Sequence, residues 1–149
     1  MGTRHLIDSR RLTPFWLCWL LVTGSSHAES SVANNVIEFE TRNSNDEGVV
    51  RCGLFTQKGW LKDAFRAAIV KIRGKTALCV FKEVPAGTYG ISAFHDEDND
   101  GELNTNIVGY PTEEYCASNN ARNLMSAPSW SDAKFSYRGG TRRLRAIMK

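Results

Sequence analysis

The chain is expected to form an antiparallel β-sandwich, and three features of its sequence say so. Short apolar-polar alternations recur along its length, clusters of Asn, Asp, Gly and Pro separate them, and no stretch carries a convincing helical period. "VIEFET" (36–41) alternates as a half-buried strand does. "RNSNDEG" (42–48) is a turn cluster, and "VVRCGLF" (49–55) is a second strand with Val50, Cys52 and Leu54 on one face. "TQKGWLKD" (56–63) breaks the pattern. "FRAAIVKIRG" (65–74) fits helix or strand, and its β-branched Ile69, Val70 and Ile72 with the terminal Gly74 tip the later half toward strand. "TALCVFKEV" (76–84), a Pro85-Ala86-Gly87 turn and "TYGISAFH" (88–95) follow, the last with Tyr89, Ile91 and Ala93 sharing a face. Periodicity is lost from 96 to 131, a length that in a compact domain points to a functional or specially ordered loop. "AKFSYR" (133–138), Gly139-Gly140 and "RRLRAIM" (142–148) read as a closing hairpin.

The N-terminus predicts export. Arg4, Arg10 and Arg11 precede the apolar run "FWLCWLLV" (15–22), and Ser26-His27-Ala28 supplies small residues at the cleavage-setting positions. Residues 1–28 are therefore expected to be a signal peptide and 29–149 a single mature domain, periplasmic or secreted. The apolar run is short of the roughly 20 residues that span a bilayer, and no later stretch is apolar enough to cross one. Loss of the signal takes three basic and one acidic residue away, lowering the formal charge from +3 to about +1. No electrostatic case for binding nucleic acid survives.

Three cysteines remain after residue 28 in a compartment that permits disulfides. An odd number allows one bridge and one free thiol. Cys52 and Cys79 both fall in strand-like runs and are the favoured pair, leaving Cys116 free. Three reduced, buried cysteines are the alternative.

The densest chemistry lies in "DEDNDGELNTNI" (96–107). Asp96, Asp98 and Asp100 alternate, Gly101 supplies a sharp turn, Glu102 offers a backbone carbonyl, and Asn104 offers a side-chain oxygen. This is the order in which a helix-loop-helix calcium loop presents its first, third, fifth, seventh and ninth ligands. The twelfth position fails, because Ile107 stands where a bidentate glutamate is needed. A last ligand from elsewhere, Glu113 or Glu114, completes a set for one calcium ion. The same residues also suit a solvated turn held by side-chain to backbone hydrogen bonds. Residues 95–121 hold seven acids and no lysine or arginine. His95 is the one histidine after residue 28, which argues against zinc or copper and suits a residue that pins the loop.

Catalysis has weaker support. A hydrolase would need His95 with the loop carboxylates, or Cys116 with His95 as a nucleophile pair, and no Gly-x-Ser-x-Gly elbow is present. Tyr110, Tyr115 and Trp130 flank the long loop, either to pin it or to receive a sugar or peptide. Arg138, Arg142, Arg143, Arg145 and Lys149 make the C-terminal region basic, as a solvated face or a docking strip.

The stretch "FKEVPAGTYGISAFHDEDNDGELNTNIVGYPTEEYCASNNAR" resembles the core signature of a bacterial exported family catalogued as domain of unknown function 2141. Pro85-Ala86-Gly87-Thr88-Tyr89, His95-Asp96, Asp100-Gly101, Gly109-Tyr110-Pro111-Thr112-Glu113, Tyr115, Ser118-Asn119-Asn120 and "APSWSDAKF" (127–135) carry the resemblance, in the family's order. The chain departs from that pattern at Cys116, where glycine is usual, and at Asn104, where aspartate is usual. The resemblance implies an exported β-sandwich, immunoglobulin-like or transthyretin-like, and no established reaction. The expected role is a non-enzymatic binding or structural module with a calcium-stabilised loop. The alternatives are a secreted hydrolase and a metal-free component of the cell envelope. The partner is an unidentified ligand or envelope protein.

Overall fold

The computed structural model describes residues 35–123 and 126–149, so the expected signal peptide lies outside the described residues. The described residues form eight strands: β1 (Val36–Arg42), β2 (Val49–Phe55), β3 (Arg66–Lys71), β4 (Thr76–Phe81), β5 (Gly87–Asp96), β6 (Tyr115–Ala117), β7 (Phe135–Tyr137) and β8 (Thr141–Ile147). One sheet has the order β4-β1-β8 and the other β3-β2-β5-β6, with β7 also on β5. The all-β sandwich is therefore present, and the ambiguous segment 65–74 forms strand β3 over Arg66–Lys71.

The alternation read from the sequence sets the layers. Ile37 and Phe39 of β1, Val50, Cys52 and Leu54 of β2, Ala77, Cys79 and Phe81 of β4, and Tyr89, Ile91 and Ala93 of β5 are all buried in one core. Cys52 and Cys79 bridge the two sheets, with Cα atoms 6.4 Å apart, and Cys116 is free and buried. The pairing expected from the strand phasing is thus the one observed.

The closing hairpin does not form. β7 pairs antiparallel with the first half of β5, while β8 crosses to the other sheet and pairs with β1, and it does so in parallel. A Gly-Gly turn between two alternating runs looks the same whether the runs pair with each other or with separate sheets. What decides is where each run finds its complement. Phe135 and Tyr137 of β7 are buried, as is Ala146 of β8. The outward Arg143 and Arg145 of β8 meet Glu38 (2.5 Å) and Glu40 (3.2 Å) on β1. Those two arginines of the basic C-terminal region are thus committed within the sheet.

The described residues of the long segment after β5 hold little regular structure: β6, a 3-10 turn at Ser118–Asn120, and helix α1 (Trp130–Ala133). Ser129 caps the helix, accepting the Asp132 N–H. Backbone bonds between Tyr115 and Lys149 in both directions (3.2 and 3.3 Å) tie β6 to the chain just beyond β8 and close that flank of the sandwich. Among the described residues no helix is long and apolar enough to cross a membrane.

Candidate functional site

The acidic loop grows from the end of β5, where alternation splits His95 from Asp96. His95 turns to the interior and is fully buried. Its Nε2 lies 2.7 Å from the Glu47 carbonyl, and with that nitrogen donating, the ring pins the β1–β2 turn to β5. Nδ1 faces the carboxylates of Glu114 at 3.6 Å and Glu97 at 3.7 Å. The histidine expected to pin a loop therefore joins three segments.

Asp96 points to the opposite face, yet it too is fully buried, because the loop folds back over it. Its Oδ2 accepts from Arg51 Nε at 2.5 Å and from the Gly101 N–H at 3.1 Å. Gly101 sits at φ +90°, in the left-handed region that favours glycine, and this conformation presents its N–H to the carboxylate. Burial alone would raise the Asp96 pKa. The Arg51 hydrogen bond and charge, with the backbone N–H groups of Gly101 and Asn99, outweigh it and hold the carboxyl below its ordinary value. The second oxygen, Oδ1, is buried and has no hydrogen-bond partner. An unpartnered oxygen of a buried carboxylate is costly unless something else satisfies it.

Two more carboxylates lie close to that of Asp96. One oxygen each from Asp96, Asp98 and Glu113 lie within 4.8 Å of one another. Calcium takes oxygen ligands at about 2.3–2.6 Å, so oxygens on opposite sides of one ion stand up to roughly 5 Å apart. The cluster has those dimensions. Glu113 reaches it because its two oxygens accept the Glu97 and Asn104 N–H groups, both at 3.0 Å. Those bonds fasten the two limbs of the loop together.

The other expected ligands stand differently. Asp100 is outside the three-carboxylate cluster; its Oδ1 accepts the Glu102 N–H at 2.8 Å, and its own N–H donates to Asp98 Oδ1 at 3.2 Å. Asn104 donates its side-chain amide to Asp98 Oδ2 at 3.1 Å, bracing that carboxylate. Glu114 turns away, accepting the Ser44 N–H at 3.1 Å. Of the two glutamates able to complete the set, Glu113 is the one brought to it. Arg51 is the participant the sequence did not announce. The alternation of β2 puts it opposite Val50 and Cys52, but only the register of β2 on β5 sets it beside Asp96.

The nucleophile pair finds no support. Cys116 is buried, and burial pushes its thiol up to about 12, against a small opposing influence from Arg122. Of the flanking aromatics, Tyr115 is buried, Trp130 packs edge-on against Trp60 with ring centroids 5.6 Å apart, and Tyr110 is exposed.

A family model described as an uncharacterized protein conserved in bacteria, domain of unknown function 2141, matches residues 41–145. The chain belongs to this family. Within the DUF2141 match fall β2 to β7, the last two residues of β1, the first five of β8, the inter-sheet disulfide and the whole acidic loop with Arg51 and Glu113. No curated protein and no solved structure matches the chain.

Proposed function

We propose that this DUF2141 protein is an exported, non-enzymatic binding module whose acidic loop is held in place by one calcium ion. The observation that carries the reading is the buried Asp96 carboxylate, with one oxygen on Arg51 and the other without a partner, beside the carboxylates of Asp98 and Glu113. Oxygen-only donors and several negative charges suit a hard cation. Asp96, Asp98 and Glu113 are the proposed side-chain ligands. Asp100 and Asn104 brace Asp98 and close the turn, and the Glu102 carbonyl keeps its place in the ligand set expected from the loop's spacing. Export rests on the basic, apolar and small-residue order of positions 4–28.

The nearby Arg51 guanidinium lowers the attraction for a divalent ion, so affinity is expected in the roughly 10⁻⁴ to 10⁻³ M range of extracellular modules. At ten times that dissociation constant, mass action stabilises the fold by about 1.4 kcal/mol, a few degrees in Tm. Thermal melts of residues 29–149 in millimolar calcium, in millimolar magnesium and in sodium chloride of equal ionic strength test it. Calcium is expected to raise Tm beyond the other two. Equal shifts in all three would reduce the loop to a screened acidic turn.

A further inference from the structure

A cleft of about 280 Å³ opens on the outer face of the larger sheet, next to the acidic loop. Its floor is Ser92 and Phe94 of β5 with Tyr115 of β6; Leu103, Tyr110 and Pro111 form one wall, and Ser126–Pro128 face them. Both walls are pinned by hydrogen bonds. Asn106 Oδ1 accepts the N–H groups of Val108 (3.1 Å) and Tyr110 (3.0 Å). Opposite, the Pro128 carbonyl accepts from Trp60 Nε1 at 2.9 Å, and the Ala127 carbonyl accepts from Asn123 Nδ2 at 2.9 Å. A concave, largely apolar cleft with a few hydroxyl and amide groups and pinned walls has the character of a preformed small-molecule site.

We infer that this cleft binds a small uncharged molecule bearing an apolar ring and a neutral hydrogen-bonding group, and that cation binding in the acidic loop strengthens its hold. The class follows from the lining. Among the described residues none that lines the cleft is charged, and its volume is at the small end for ligand sites. Phe94, Tyr110 and Tyr115 offer ring faces and edges, and Ser92, Thr105 and Asn123 offer neutral donors and acceptors. A charged ligand would leave its solvation without a counter-charge.

The coupling follows from one residue. Asn104 lies between the lining residues Leu103 and Thr105. Its N–H donates to Glu113 Oε2, its side chain donates to Asp98 Oδ2, and its carbonyl accepts the Thr112 N–H at 2.8 Å. A cation that fixes Asp98 and Glu113 therefore fixes the wall that the ligand touches, and each binding event then lowers the ordering cost of the other. The coupling rests on the calcium reading given above; the cleft itself does not.

The test uses residues 29–149 and 4-cresol as probe, by equilibrium dialysis and ligand-observed NMR, with 4-hydroxybenzoate as the charged control. Wild type is expected to bind 4-cresol, to bind 4-hydroxybenzoate at least tenfold more weakly, and to bind 4-cresol about fivefold more tightly in millimolar calcium. Ser92→Leu fills the floor and Ser126→Trp the exposed wall, and both are expected to abolish binding. Should Ser92→Leu fail to fold, Ser126→Trp still decides, because position 126 is exposed. No binding of 4-cresol with or without calcium overturns the site, as does binding that survives Ser126→Trp or an equal preference for the charged analogue. If calcium raises Tm and leaves 4-cresol affinity unchanged, the coupling is overturned. If calcium moves neither quantity, the cation reading and the coupling fail together, and the cleft stands on calcium-free binding lost in Ser126→Trp.

Discussion

Asp96 serves two partners at once, and its substitutions should separate them. One oxygen is held by Arg51 and Gly101, the other has no hydrogen-bond partner, and the carboxylate stands beside those of Asp98 and Glu113. Because its folded pKa lies below the unfolded value of about 3.9, Asp96 adds stability above that value and loses it as pH falls through the folded pKa. Arg51 supplies the largest influences that oppose burial, so without it the carboxyl moves up. Arg51→Gln is therefore expected to cost on the order of 3 kcal/mol at neutral pH, the penalty of a buried carboxylate without its partner. Because the carboxyl then protonates more readily in the folded state, the deficit should be largest near pH 7 and shrink as pH falls, as urea midpoints across pH 2.5–7 will report. Asp98→Asn behaves differently. It keeps the shape of the side chain, and the Asn104 amide can turn over to face it. Removing one charge from a crowded cluster should leave the calcium-free Tm unchanged or higher, while the calcium-induced rise disappears. A calcium-free Tm several degrees below wild type would show that Asp98 is structural. Cys116 offers a third check. With its thiol near 12 and buried, it should resist iodoacetamide at pH 8 in the folded protein and react once unfolded, as intact mass will show.

Among the elements, the β1–β2 turn is the one on which the loop leans. A Cβ on Gly48 would lie 2.0 Å from the Asp96 carbonyl and 2.7 Å from the Glu97 Cα, and Gly48 sits at φ +61°. Gly48→Ala meets both steric clash and an unfavourable backbone, and is expected to destabilise by more than about 2 kcal/mol in chemical denaturation. That dependence was not legible in "RNSNDEG", where Gly48 reads as one more turn residue. The strands were legible because side-chain alternation is a local signal, and even the Cys52–Cys79 bridge followed from two inward phases. Register and partner choice are not local. This is why β7 and β8 read as a hairpin, and why Arg51 went unnoticed beside Asp96. The acidic spacing points to Asp96, Asp98 and Asp100, and the structure brings Asp96 and Asp98 together with Glu113. The side chain of Asp100 closes the turn on Glu102, a local bond that the spacing does not distinguish from ligation.

At the scale of the molecule, the disulfide joins two sheets that otherwise share a core without a sheet common to both. Cys52→Ala with Cys79→Ala is expected to cost about 2–4 kcal/mol, the usual worth of a bridge over a loop of this size, and the loss should appear as a lower denaturant midpoint. The cation cluster is drawn from the end of β5 and the loop after it, with neither cysteine among its residues, so the calcium-induced rise in Tm should survive in the reduced protein, provided it is still folded.

The parallel pairing of β1 with β8 gives the domain a direction. β1 runs toward the end of the sandwich that carries the acidic loop, since its last residues lead through the β1–β2 turn to Val49, the register partner of Asp96. Seven strand residues, about 24 Å, separate Val36 from that end. Chain arriving at Asn35 therefore meets the domain at the pole far from the candidate site, whereas Lys149 lies at the near pole, its carbonyl held by Arg122 and Tyr115. A molecule immobilised through its N-terminus presents the loop and cleft outward, like a lamp on its stalk. A bulky fusion placed after Lys149 stands over them, and sensors or capture reagents made from this protein should be tethered at the other end.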